Sequence, residues 1–133
     1  MRLALGQMNA TIGDFAGNGA RIEALWKDAE AAKADLLLVP EMALCGYPPR
    51  DLLDRPSFQA EAARLLATLA RRSGKTALLA GTFVPNPSET GKPLYNAAVL
   101  LRGGRVAAVA RKCPPPAYDV FDDVRHFEPA ESP

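Results

Sequence analysis

The sequence holds a single histidine and only two cysteines among its 133 residues. Cys45 and Cys113 stand far apart, with no CxxC spacing and no histidine pair beside either. That argues against a disulfide framework and a zinc site, so no metal is expected and the cytoplasm is the expected compartment. A basic excess is also missing. The formal net charge is +1, and no stripe of lysine and arginine interleaves with aromatics. Nucleic acid and anionic membrane are therefore not expected as partners. Long apolar runs are absent too. No segment nears the roughly 20 residues of a membrane span. The opening MRLALGQMNATIGD is too short in apolar residues for a signal peptide. GNG at 17–19 lacks the Lys-Ser/Thr tail of a phosphate loop.

What is present is ordinary for a folded domain. The chain is 48% hydrophobic and 23% charged, and its length suffices for one core. RLALGQMN (2–9) alternates like a strand. Residues 17–34 read as a helix, with Ile22, Leu25, Trp26 and Ala29 on one face and Asn18 as its N-cap. DLLLVP (35–40) reads as a strand buried on both sides. This strand–helix–strand unit favours neighbouring strands with a covering helix. Residues 55–75 form a second amphipathic pattern, opened by Pro56 and closed by Arg71, Arg72 and Gly74. TALLAGTFV (76–84) reads as a third strand. LYNAAVLLRGGRVAAVARK (94–112) reads as a hairpin turning at Gly103-Gly104. The remaining residues, rich in proline and aromatics, read as ordered loop. The visible helices cover one layer only, so the chain is expected to be the front part of a larger domain.

Two charged residues stand where chemistry collects. Glu41 follows the most apolar strand, and Pro40 and CGYPP prevent the regular structure from continuing. In open α/β sheets reactive groups gather beyond the carboxyl ends of strands, and a carboxylate there can serve as a general base. Lys112 ends the hairpin, where a fixed cation can stabilise a developing oxyanion. The alternatives are a surface acid, an exposed strand-end lysine, or a purely structural ion pair. Cys45 reads as a small buried hydrophobe. Cys113 adjoins a cation, which would lower a thiol pKa, and is a minor candidate nucleophile. His126 reads as a surface loop histidine.

Four segments then fit together: LALGQMNATIGDFAGN, LLLVPEMALCGYPPRDLL, LYNAAVLLRGGRVAAVARK and YDVFDDVRHFEP. Across essentially the whole chain they resemble the nitrilase (carbon–nitrogen hydrolase) superfamily. GYPPRDLL and YDVFDDVRHFEP are similar to segments of its glutamine-dependent NAD+ synthetase branch, in the N-terminal glutaminase domain. The resemblance implies an α/β fold, a nitrilase-type α-β-β-α sandwich, with residues 1–133 as its N-terminal portion only. It implies a Glu-Lys-Cys triad in which Glu41 matches the general base and Lys112 the lysine that stabilises the tetrahedral intermediate. Tyr47 and Tyr118 match aromatic positions near the glutamine site, and Phe121 matches more loosely. Neither Cys45 nor Cys113 matches the nucleophile, which is expected on a later strand. Cys113 stands where an aliphatic residue is usual, and Asp123 and His126 where Glu and Tyr are commoner. The implied substrate is glutamine, and the implied partner is a synthetase domain of the same chain in the full-length protein. No cofactor is expected in this domain; ATP and Mg belong to the synthetase domain, which is absent here. A homo-oligomer is expected. Another amidase of the superfamily, or a non-catalytic remnant or interaction module, stays open at this point.

Overall fold

The computed structural model describes residues 1–113 and 123–131. Strand β1 (Leu3–Leu5) is followed by helix α1 (Phe15–Ala31) and strand β2 (Leu36–Leu38). A 3-10 helix (Arg50–Asp54) leads into helix α2 (Pro56–Arg72). Strands β3 (Ala77–Pro85), β4 (Leu94–Arg102) and β5 (Arg105–Arg111) come next, and the short helix α3 (Asp123–His126) ends the order. The five strands form one sheet in sequence order. β1, β2 and β3 are parallel; β4 runs against β3, and β5 against β4. The β4–β5 register shifts by one residue between Leu100 and Leu101.

Several boundaries differ from the periodicity. β1 and β2 are each only three residues long. The β2 ladder cannot extend because Pro40 has no N–H to donate. Helix α1 begins earlier than expected. Asp14 is its N-cap, accepting from the Gly17 N–H at 2.8 Å. Asn18, expected as the cap, is fully buried inside the helix. Its side chain holds Thr11 N–H at 2.9 Å and donates to Thr11 O at 2.8 Å and Leu44 O at 3.1 Å. A single amide thus ties two loops to the helix. Helix α2 stops at Arg72, before Gly74, because Ser73 turns to extended backbone and its hydroxyl donates to Ala70 O at 2.6 Å. Residues expected as loop form α3, and Phe127 bridges Leu94 of β4.

The two long helices pack on one face of the sheet. Ile22, Trp26 and Ala29 of α1 and Leu69 and Ala70 of α2 meet Leu37, Leu78, Ala80, Val99 and Leu101. Gly19 permits the close approach, since a Cβ there would lie 2.8 Å from Leu65. A second cluster joins Phe15, Phe58 and Phe83 around Met42, Cys45 and Leu53. On the opposite face the register aligns Leu3 with Leu36, Leu5 with Leu38, Leu38 with Leu79 and Leu79 with Leu100. These side chains are half-buried or exposed, Leu5 to 73%.

Candidate active site

The strand directions bring Glu41 and Lys112 to one end of the sheet. β2 and β5 both run parallel to β3, and β4 runs opposite. The residues following β2 and β5 and the residues starting β4 therefore share one rim. Glu41 comes from the first, Lys112 from the second and Asn96 from the third.

The loop carrying Glu41 is tightly built. Val39 N–H donates to Leu79 O at 3.0 Å, the last ladder contact before Pro40. Met42, next to Glu41 and fully buried, has φ of 51°. A non-glycine residue in that region costs about 1–3 kcal/mol and persists only where its surroundings enforce it. Here the enforcement is visible. Met42 O accepts from Gly46 N–H at 2.7 Å, Leu44 O accepts from Asn18, and Cys45 O accepts from Gly13 N–H at 2.9 Å. Met42 and Cys45 fill the aromatic cluster beneath.

Lys112 Nζ donates to Glu41 Oε1 at 2.7 Å. The pair is half-open, with side-chain exposures of 31% and 47%. Asn96 Nδ2 donates to the same oxygen at 2.6 Å. The Lys112 backbone N–H donates to Asn96 O at 2.8 Å, and Lys112 O accepts from Ala130 N–H at 3.3 Å. Beside the three side chains lies a cavity of about 350 Å³, lined chiefly by Leu38, Leu79, Gly81, Ala98 and Ala110. That size suits a small ligand, and a few polar groups at an apolar wall is the usual build of such a site.

The other sequence-derived candidates fall elsewhere. Tyr47 is partly buried and packs against the aromatic cluster, not in the lining of this cavity among the described residues. Tyr118 and Phe121 lie outside the described residues. Cys45 is buried as expected; desolvation pushes its thiol up to about 12, against a smaller lowering by its backbone hydrogen bond. A thiol held protonated in this way is a poor nucleophile. Cys113 Sγ lies 3.8 Å from Arg111 O, next to the cavity wall but not in the lining itself. His126 is not a surface residue. It is buried, with its ring nitrogens 3.7 Å from Asp51 Oδ1 and 3.6 Å from Asp54 Oδ1, so α3 lies against the 3-10 helix there. Asn96 was missed. An asparagine within an apolar strand was its only signal. No group of three or more metal-ligating side chains occurs among the described residues. No helix among them is long and apolar enough to cross a membrane.

Comparison with known proteins adds lineage to this geometry. The carbon-nitrogen hydrolase family profile matches residues 2–130. A glutamine-dependent NAD(+) synthetase of Synechocystis sp. is 44% identical over 96% of this chain, and the match spans 24% of that relative's length. The structure of glutamine-dependent NAD+ synthetase from Acinetobacter baumannii, in complex with ADP, superposes with a TM-score of 0.88 at 30% identity. It covers 98% of this chain and 24% of that one. An amidase from Nesterenkonia sp. superposes with a TM-score of 0.73 at 27% identity, covering all of this chain and 49% of its own. The chain therefore spans about a quarter of the synthetases it matches and about half of the amidase.

Proposed function

The chain belongs to the carbon–nitrogen hydrolase family, and from that premise we propose that it supplies the base and the cation for hydrolysing the side-chain amide of glutamine. One observation carries the reading: Glu41 and Lys112, from opposite parts of the sequence, meet at 2.7 Å on the rim of an apolar cavity. A surface ion pair needs neither the buried, left-handed Met42 nor a cavity beside it.

In this reading the attacking thiol comes from a cysteine outside these 133 residues. Glu41 takes the thiol proton, and the thiolate adds to the amide carbon. The Lys112 ammonium balances the charge that gathers on the amide oxygen. Glu41 returns its proton to the nitrogen, and ammonia leaves a thioester. Water then attacks the thioester, Glu41 takes a proton from it and passes that proton to the departing sulfur, and glutamate and the thiol are released. Tyr47, Tyr118 and Phe121 are the proposed aromatic neighbours of the substrate, Tyr47 from beyond the cavity lining described above. The ammonia passes to a synthetase domain of the same protein, which uses ATP and Mg for NAD+ synthesis. The hydrolytic part needs no cofactor. The protein works in the cytoplasm and assembles as a homo-oligomer.

The similarity to NAD+ synthetases at 44% identity favours glutamine over other amides. The test is glutamate and ammonia release by the full-length gene product, with glutamine and short aliphatic amides compared. The expected result is turnover of glutamine that falls at least about 100-fold in Glu41→Gln. Preference for a short aliphatic amide would replace glutamine by a simpler substrate. Turnover of no amide would overturn the reading.

A further inference from the structure

Asn96 touches both members of the charged pair, with different atoms. Its carbonyl accepts the Lys112 backbone N–H at 2.8 Å. Its side-chain amide donates to Glu41 Oε1 at 2.6 Å. The residue is 4% exposed and stands opposite Phe83 near the start of β4. We propose that Asn96 is a positioning residue for amide hydrolysis: it fixes the rotation of the Glu41 carboxylate so that Oε2 is the oxygen that takes the thiol proton. The proposal rests on the hydrolase reading above.

The terminal torsion of a glutamate is soft, so a carboxylate at a loop tip needs partners to hold its plane. Asn96 and Lys112 both donate to Oε1, from neighbouring strands. Two donors on one oxygen restrain the plane and leave Oε2 as the oxygen to take the proton. Their tasks then diverge. Lys112 must lean toward the oxyanion as charge develops there, and its hold on Oε1 weakens at that moment. A neutral amide has no such second duty, and it cannot exchange a proton with the base at working pH. Asn96 therefore keeps the carboxylate in place during the step when the lysine is engaged elsewhere. Packing alone does not ask for this residue. Aspartate has the same outline and leucine nearly the same bulk, but an ionised aspartate and a leucine have no hydrogen to donate to a carboxylate.

The test uses the full-length gene product with glutamine as substrate and compares Asn96→Asp, Asn96→Ala, Glu41→Gln and the double variant Glu41→Gln/Asn96→Asp. The expected loss in Asn96→Ala is about 10- to 100-fold in kcat, with KM within about threefold, as for a misplaced reacting group. Asn96→Asp should lose more than Asn96→Ala, because it turns a second carboxylate toward Glu41. A shape-only role predicts the opposite order. The double variant should recover the melting temperature lost in Asn96→Asp, since the introduced amide can donate to the introduced carboxylate, yet it should stay inactive. If Asn96→Asp does not fold, the kcat and KM of Asn96→Ala decide alone. Retention of kcat within about threefold in Asn96→Ala overturns the proposal. So does Asn96→Asp with kcat above that of Asn96→Ala. The Glu41→Gln arm separates the two failures. If Glu41→Gln is inactive while both Asn96 variants turn over normally, only the role of Asn96 falls. If Glu41→Gln turns over normally, or the unmodified protein hydrolyses no amide, the hydrolase reading falls and Asn96 with it.

Discussion

Gly81 of β3 lies directly against the backbone that carries Glu41. A Cβ on Gly81 would be 2.5 Å from Glu41 Cα, 2.6 Å from Pro40 O and 2.7 Å from Met42 N. All three neighbours are main-chain atoms, which cannot rotate aside. The absence of a side chain at one position of the third strand therefore sets how closely the acid-bearing loop meets the sheet.

Gly81→Ala should push that loop outward. Overpacking of this kind costs about 1–3 kcal/mol, and the displaced carboxylate should cost kcat at least tenfold. Urea melts and glutamine turnover check the two effects separately. Unchanged kcat with lowered stability would mean that the loop position does not govern the base.

Lys112→Met should separate chemistry from stability. The pair is half-open to solvent, so its loss should cost no more than about 1 kcal/mol. Turnover should fall about 10²- to 10³-fold, as when an oxyanion-stabilising group is removed. A melting curve and a kcat measurement on the same preparation suffice. A large stability loss would make the pair structural instead.

Cys45 should be silent in chemistry and visible in alkaline stability. Its thiol keeps its proton to about 12, whereas the unfolded chain releases it near the ordinary 9.0. Between those values the unfolded state binds fewer protons than the folded one. The stabilisation is complete below pH 9.0 and is lost as pH rises toward 12. Cys45→Ala should therefore show a shallower decline in urea midpoint across this range than the unmodified protein. Iodoacetamide at neutral pH, followed by peptide mapping, should label Cys113 well before Cys45.

Trp26→Ala should be among the most damaging core changes. The ring is fully buried, its Nε1–H donates to Thr76 O at 3.1 Å, and the Arg72 guanidinium lies 4.8 Å from its centroid. Such a truncation costs about 3–5 kcal/mol. Trp26→Phe should cost less while still leaving Thr76 O without its donor. A denaturant series on both variants tests the order.

Glu41 and Lys112 were legible in the sequence because each follows an apolar strand at a point where regular structure stops. Strand order was nearly legible as well, since short connections favour neighbours. What escaped depends on contacts between distant segments. Asn18 has the composition of a cap, but a cap is chosen by which side chain reaches an orphan N–H, and Asp14 reaches it first. The amide of Asn18 is instead consumed by Thr11 and Leu44. His126 looked solvated because its acidic partners Asp51 and Asp54 lie far away in sequence. Asn96 is one polar residue in an apolar strand, and nothing local says that the loop after β2 will arrive beside it.

The one-residue slip in the β4–β5 ladder decides which of two adjacent cations faces the acid. Near the turn Arg102 pairs with Arg105 and Leu101 with Val106. Continued without interruption, that register would set Arg111 opposite Asn96 and leave Lys112 opposite Tyr95, on the other side of the pleat. The extra residue on β5, Ala107, moves the count by one, so Arg111 pairs with Ala97 and Lys112 falls to Asn96. An arginine there would present a permanently charged planar fork, suited to gripping a carboxylate. The lysine presents a compact ammonium on a flexible stem that can let go of Glu41 and turn to another oxygen. A bulge far along the strand thus selects the mobile cation over the fixed one.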